Sequence, residues 1–405
     1  RRFLPGMGTL MTGRSPRELD VERHRPLPPG APTLAQVAWS HGWNTAAFAT
    51  NPYLTSAYGF DRGFAEFEHA LVLEPLQPAA RSVLARELTH WVDRFVELDA
   101  GEFVVAKAVR WLPARPAGRP FLLWLHLLDP HLPYTARRLP GDGPTAALPQ
   151  HALLDGHGLP AENLSAVRAD PGGIPPEVRD AIAGLYAGEV RYADHHLGRL
   201  FAALRAEGLW DETLIVVTAD HGEELFDHGG FEHGHSLLPE VSAVPLVVKL
   251  PAGGIAGRRV AGDRASADLL PTLCATLGWT APDSLGGRTD LWPVGPGAAP
   301  PVWTGPASPA VLENLLYGPA QTAVRAWPHF AILPPDAAAQ WYDLAADPAA
   351  MLPLTAAPPT APFALAVAES IRAAADRSAR RLSGPQPLHV EPDRALQRQL
   401  RSLGY

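Results

Sequence analysis

Residues 218–238, TADHGEELFDHGGFEHGHSLL, place Asp220, His221, His228, His233 and His235 within sixteen positions. An aspartate followed directly by a histidine can offer a carboxylate oxygen and an imidazole nitrogen to one divalent cation, and Gly222 lets the backbone turn tightly after them. Imidazoles further along titrate near neutral pH and can give or take a proton. Whether a cation held there would have anything to activate depends on what the rest of the chain supplies. Calcium prefers all-oxygen ligation, whereas an Asp-His pair also suits manganese or zinc, so the cation's identity stays open. Spacing alone also leaves a plainer reading open, in which Asp220 caps a helix and the histidines are solvated loop residues.

Such a site needs elements that deliver it, and the flanking pattern supplies them. The apolar run TLIVVTA at 213–219 is a strand. The segment before it carries Val190, Ala193, Leu197, Leu200, Phe201 and Leu204 on one helical face and stops at Gly208. On that helix His195 and His196 are expected on the solvated side. Residues 33–43 read as a helix closing at Gly42, followed by a strand at 44–50. The spacing of Leu84, Leu88, Trp91, Val92 and Phe95 predicts helix before the continuous apolar strand PFLLWLHL at 120–127. Residues 136–176 read as a long surface loop, and VPLVVKLP at 244–251 as another strand. This alternation predicts an α/β fold, with a mostly parallel central sheet and helices on both faces. The histidine-rich stretch would then leave the carboxyl end of a central strand, where open α/β sheets bind ligands. The Pro/Gly/Ala run at 292–307 marks a boundary. It predicts a main domain over 1–298, its first strand missing, and a small α+β subdomain over 299–405 with short antiparallel strands and a helix at about 362–380.

Composition narrows the partners. A net charge of −8 over 405 residues argues against nucleic acid, which requires a basic footprint. The longest apolar run, PFLLWLHLL at 120–128, is far short of the ~20 residues that span a bilayer. The single cysteine, Cys274, rules out an internal disulfide and falls among Leu269, Leu270, Leu273 and Leu277 at helical spacing, the pattern of a buried small residue. The chain opens on Arg1 inside a patterned segment, which predicts N-terminal truncation and leaves the compartment unassigned.

The run from Asp220 to Glu223, His228-Gly229, the segment from His233 to Leu237 and Val244-Pro245-Leu246 together resemble the sulfatase family of the alkaline phosphatase superfamily. Members often carry a Ser-Asp-His-Gly-Glu run, a downstream His-Gly, a His-Gly-His-Ser-Leu-like segment and a Val-Pro-Leu strand. Similar pieces follow in the family's order along the whole chain: LMTGRSP at 10–16, GFDRGFAEFE at 59–68, PFLLWLHLLDPHLPY at 120–134, GEVRYADHHLGRL at 188–200, WYDLAADP at 341–348 and LRSLGY at 400–405. The resemblance implies a sheet-centred domain with a small C-terminal domain. It implies Asp220 and His221 as two ligands of a divalent cation and His131 as the contact to an ester oxyanion. It gives His233 the role of cationic or proton-donating group on the substrate side, with His235 next to it against the substrate. The implied partner is a small anionic ester, or a sulfated or phosphorylated glycan or lipid head group.

The family pattern breaks at its nucleophile, a cysteine or serine in Cys/Ser-x-Pro-Ser-Arg that becomes formylglycine. Counting back from Thr12-Gly13, Pro5 matches the proline, Phe3 takes the nucleophile position, Gly6 replaces the serine and Met7 the arginine. A phenyl ring has no lone pair for attack, and a thioether cannot stabilise a formylglycine hydrate, so covalent catalysis by the family route and a formylglycine cofactor are not expected. The family's acidic ligand pair at the first strand would precede Arg1. Leu238-Pro239 and Ala243 also depart from the family's tyrosine-acid pair and basic residue. Two readings follow: a metal-dependent hydrolase or transferase attacked by water or an unmodified group, or a catalytically silent sulfatase-fold protein that binds an anionic ligand or partner.

Overall fold

The computed structural model describes residues 3–19, 25–69, 100–142, 147–251, 263–282, 310–313, 321–334 and 337–361, with isolated positions up to 373. The helical pattern at 84–95, the boundary at 292–307, most of the helix expected at 362–380 and the terminal LRSLGY lie outside the described residues. In chain order the elements that matter here are α1 (Phe3–Thr12), α2 (Leu34–Ser40), β1 (Asn44–Ala49), β2 (Glu66–His69), α3 (Ala100–Ala114), β3 (Phe121–His126), β4 (Tyr134–Thr135), β5 (Gly158–Leu159) and α4 (Pro176–Ala206). They continue with β6 (Ile215–Thr218), β7 (Glu224–Leu225), β8 (Phe231–Glu232), α5 (Pro239–Ser242), β9 (Leu246–Lys249), α6 (Leu269–Leu277), β10 (Ala310–Glu313), β11 (Thr322–Ala326), β12 (His329–Leu333) and β13 (Gln340–Asp343). Contacts divide the chain into two compact units, Arg1–His41 with Glu212–Val390, and Gly42–Asp211 with Glu391–Tyr405.

The second unit is the parallel α/β part. Its sheet runs β2-β1-β3, all parallel, and the register sets Ala49 beside both His69 and His126, so the three carboxyl ends lie level. The small side chains of β1 let it be wholly buried as the middle strand, whereas β3, last in this sheet among the described residues, is half-buried. Helix α4 starts with Pro176 in its first turn, where a missing N–H costs nothing, and gives way to Gly208 at φ 69°. His196 corrects the sequence reading: it is buried, 3% exposed, against the Tyr192 ring at 4.4 Å, because α4 packs on α3 along a face wider than its apolar stripe. The segment 136–176 is also more ordered than a plain loop. It holds β5, paired with β4, and a short helix at Leu164–Ala169. Gly158 is required there, since a Cβ would meet Tyr134 O at 2.1 Å.

In the first unit α2 begins with a reciprocal cap. Thr33 Oγ1 accepts from Gln36 N at 3.2 Å, and Gln36 Oε1 accepts from Thr33 N at 3.0 Å. Strand β6 differs from expectation: its ladder partner among the described residues is β9, antiparallel, from Ile215 beside Lys249 to Thr218 beside Leu246. An apolar run reads the same in either direction of pairing, and the chain returning through 219–245 supplies the antiparallel neighbour. Cys274 is buried on α6, and burial pushes its thiol pKa up. The four C-terminal strands form the antiparallel meander β10-β11-β12-β13 expected from their spacing. Phe330, Ile332, Tyr342 and Leu344 on one side pack with Leu237 from the histidine-rich segment, which anchors that segment to the meander.

Candidate active site

Asp220 and His221 leave the end of β6. Gly222 passes the next segment so closely that its N–H donates to Val241 O at 2.8 Å and a Cβ would lie 2.1 Å from Glu240 O. Gly222 is thus required by close approach rather than by a left-handed turn. His221 Nδ1 is 2.9 Å from Gly222 O. A carbonyl only accepts, so Nδ1 carries the hydrogen and Nε2 presents its lone pair. That lone pair faces Asp220 Oδ2 at 3.6 Å, and this oxygen is buried with no hydrogen-bond donor among the described residues. A buried, donor-less carboxylate oxygen 3.6 Å from an imidazole nitrogen is what a cation would satisfy, so the residues present fit a divalent metal as two of its ligands. No third His, Cys, Asp or Glu joins them as a metal-capable group among the described residues.

The segment with the altered nucleophile motif lies against this pair. Phe3 opens α1 and Met7 is core, 4% exposed. Between them Gly6 abuts the aspartate: a Cβ there would fall 2.9 Å from Asp220 Cβ and 3.1 Å from Asp220 O. Sequence counting and structure therefore bring Phe3 to Met7, Asp220 and His221 together in one unit.

The remaining histidines divide by environment. The His233 ring stacks on His221, centroids 4.0 Å apart and 29° between planes, and its Nδ1 is 2.8 Å from Glu223 Oε1. It is sealed, with 1% of its side chain exposed. His235 sits two residues on with 29% exposed, its Nε2 2.6 Å from Glu224 Oε2. Glu224 is a hub. It is buried, yet it also accepts the N–H of Gly230 at 2.6 Å and of His228 at 3.1 Å. Burial pulls its pKa up, but His235 and these two amides outweigh it, so the net direction is down. His228 has protein partners on both ring nitrogens. Its Nδ1 meets Glu240 at 2.9 Å and its Nε2 meets Ala350 O at 3.1 Å, pinning the β7–β8 turn to the chain beyond β13. Burial works against its charge, but the Ala350 carbonyl and Glu240 raise its pKa overall, and burial raises that of Glu240.

His131 belongs to the other unit, in the loop after β3, and is half-buried with Nδ1 2.8 Å from Leu132 O. Asp129 fixes the start of this loop by accepting from Gly101 N and from Arg137, both at 2.8 Å. Arg137 also donates to Glu189 at 2.6 Å and lies over the Tyr192 ring, 4.6 Å from its centroid. Burial raises the Glu189 pKa even against Arg137.

Sequence reasoning missed Glu223 and Glu224 as partners of the histidines, although consecutive acids directly after Asp-His-Gly were a usable signal. It also missed Thr50 and Asn51, fully buried at the carboxyl end of β1. Thr50 Oγ1 and Asn51 Nδ2 there have no hydrogen-bond partner among the described residues. Polar residues closing an apolar strand were the available clue.

The fold is that of solved sulfatases and phosphonate hydrolases. The phosphonate monoester hydrolase of Agrobacterium radiobacter superposes with a TM-score of 0.65 at 23% identity, covering 92% of this chain and 86% of that one. A protein solved with its substrate D-glucosamine-2-N,6-O-disulfate superposes at 0.62 and 17%, covering 92% and 88%. The chain belongs to the sulfatase family, whose model matches residues 5–279. It is 33% identical over 220 residues to the multifunctional alkaline phosphatase superfamily protein PehA of Trinickia caryophylli, covering 48% of this chain and 41% of that protein. It is 26% identical over 199 residues to an arylsulfatase of Clostridium perfringens, covering 46% and 40%. The chain thus spans about 40% of the length of these curated relatives.

Proposed function

We propose that this chain is a hydrolase of sulfate- or phosphate-type monoesters that works with one divalent cation, calcium, manganese or zinc, held by Asp220 and His221. The observation that carries the reading is the pair itself: a buried carboxylate oxygen without a donor, faced by an imidazole lone pair at 3.6 Å. When bound, the cation supplies positive charge against the ester's non-bridging oxygens. His131 contacts an ester oxyanion, and the histidines at 233 and 235 serve the substrate side, one of them with a proton for the leaving oxygen. Phe3 offers no lone pair, so water is the attacking species. The substrate class is a small anionic ester or the head group of a sulfated or phosphorylated glycan or lipid.

A second reading has one specific observation behind it. Met7 is locked in the core where the family carries an arginine, which favours a silent protein that retains a pocket for an anion. Turnover of p-nitrophenyl sulfate, p-nitrophenyl phosphate and a p-nitrophenyl phosphonate monoester, with and without chelator, separates the two. Chelator-sensitive hydrolysis of any of these supports the hydrolase. No turnover together with saturable binding of sulfate or phosphate supports the silent protein.

A further inference from the structure

The two carboxylate–imidazole pairs of the site segment, Glu223 with His233 and Glu224 with His235, have opposite access to solvent, and this decides which can exchange a proton with a substrate. His233 is enclosed, its ring against His221 and its Nδ1 on Glu223. His235 is held only from one side. A carboxylate oxygen accepts, so Nε2 carries the hydrogen given to Glu224, while Nδ1 makes no hydrogen bond among the described residues and the side chain is 29% exposed. The arrangement is built, not incidental. Glu224 is buried and anchored by two backbone amides, and Gly230 packs against the pair: a Cβ there would lie 2.5 Å from His235 Nε2 and 2.7 Å from Glu224 Oε2, so a larger residue would have to push one of them aside.

From this geometry we infer that His235, not His233, is the catalytic proton donor to the leaving oxygen, and that Glu224 is its positioning residue. The inference rests on the hydrolase reading and assigns the proton within it. Water forms the new bond to sulfur or phosphorus, and the bond to the ester oxygen breaks with its electron pair going to that oxygen. The oxygen takes the Nδ1 proton of the His235 imidazolium. The attacking water releases one proton to solvent, from which Nδ1 is recharged. An imidazole held on its far side by a carboxylate is the usual geometry of a positioned acid or base. The charged groups around it are Glu224 from β7 and, beyond Glu224, His228 from the β7–β8 turn with Glu240 from α5.

Two measurements test it. In the first, wild type, His235→Gln, Glu224→Gln and Glu224→Asp hydrolyse a p-nitrophenyl ester and the corresponding unactivated alkyl ester. His235→Gln should slow the alkyl ester by about 10²–10⁴-fold, the usual worth of a positioned acid, and the p-nitrophenyl ester far less, because that leaving group needs no proton. It should also abolish the fall in alkyl-ester turnover at alkaline pH. Glu224→Gln should lower alkyl-ester turnover with the same selectivity, because the imidazole loses the carboxylate that orients it, and Glu224→Asp should restore part of that turnover. Equal losses on both esters, or an unmoved alkaline limb, would overturn the assignment while leaving the hydrolase reading intact. No turnover by wild type would remove both. In the second, brief diethyl pyrocarbonate labelling mapped by mass spectrometry should acylate His235 and spare His233; the reverse pattern would overturn the assignment whatever the activity.

Discussion

The loop bearing His131 and the segment bearing His233 and His235 both follow a strand, and both contain buried carboxylates, but those carboxylates have different partners. Around His131 the cation is Arg137, which stays charged at every accessible pH and fixes Asp129 and Glu189 together. Around His233 and His235 the partners of Glu223, Glu224 and Glu240 are imidazoles. One loop is therefore held by a guanidinium that only donates, and the other by imidazoles, which can both give and take a proton. The difference fits the roles proposed: a fixed contact to an oxyanion for His131, a group that must exchange a proton for the histidines at 233 and 235.

The largest effect should come from breaking the arginine-held loop. Arg137→Leu leaves the Asp129 and Glu189 carboxylates buried without their cation and should cost about 3–5 kcal/mol in denaturant unfolding near pH 8. A loss below about 1 kcal/mol would mean that the two carboxylates are satisfied without it. A smaller effect should follow from Gly230→Ala, which forces a methyl against His235 and Glu224. A loss of about 1–3 kcal/mol is expected, with His235 made more reactive to acylation as its bond to Glu224 opens. The smallest should come from His228→Gln. Because the folded state raises the His228 pKa, its contribution is complete below the unfolded value and disappears as pH rises through the higher folded one. The melting temperatures of wild type and His228→Gln should therefore differ at pH 5.5 and converge at pH 9; a gap independent of pH would show that His228 is held by packing alone.

How much of this was legible in sequence depends on the kind of information each feature carries. The parallel β1 and β3, the α4 helix with its stop at Gly208, and the C-terminal meander follow from local periodicity and turn residues, and the chain forms them. The antiparallel pairing of β6 with β9 was not legible, because an apolar run does not encode the direction of its neighbour. Burial of His196 depended on how wide a face of α4 meets α3, which is a tertiary quantity. At the site, Asp220 and His221 were found because adjacency in sequence guarantees adjacency in space. The partners at Glu223 and Glu224 were not assigned, since neighbouring side chains meet different imidazoles and only the fold says which one each meets. Gly6 against Asp220 is a contact across more than two hundred residues, visible in sequence only as a serine-to-glycine departure from the family motif.

The central claim is that Asp220 and His221 hold a divalent cation, and calorimetric titration of wild type and Asp220→Asn with manganese, zinc and calcium tests it directly. Saturable binding of one of these ions at one site in wild type, lost in Asp220→Asn while the fold and melting behaviour are kept, is the predicted result. Equal binding by both proteins, or none by wild type, would contradict it.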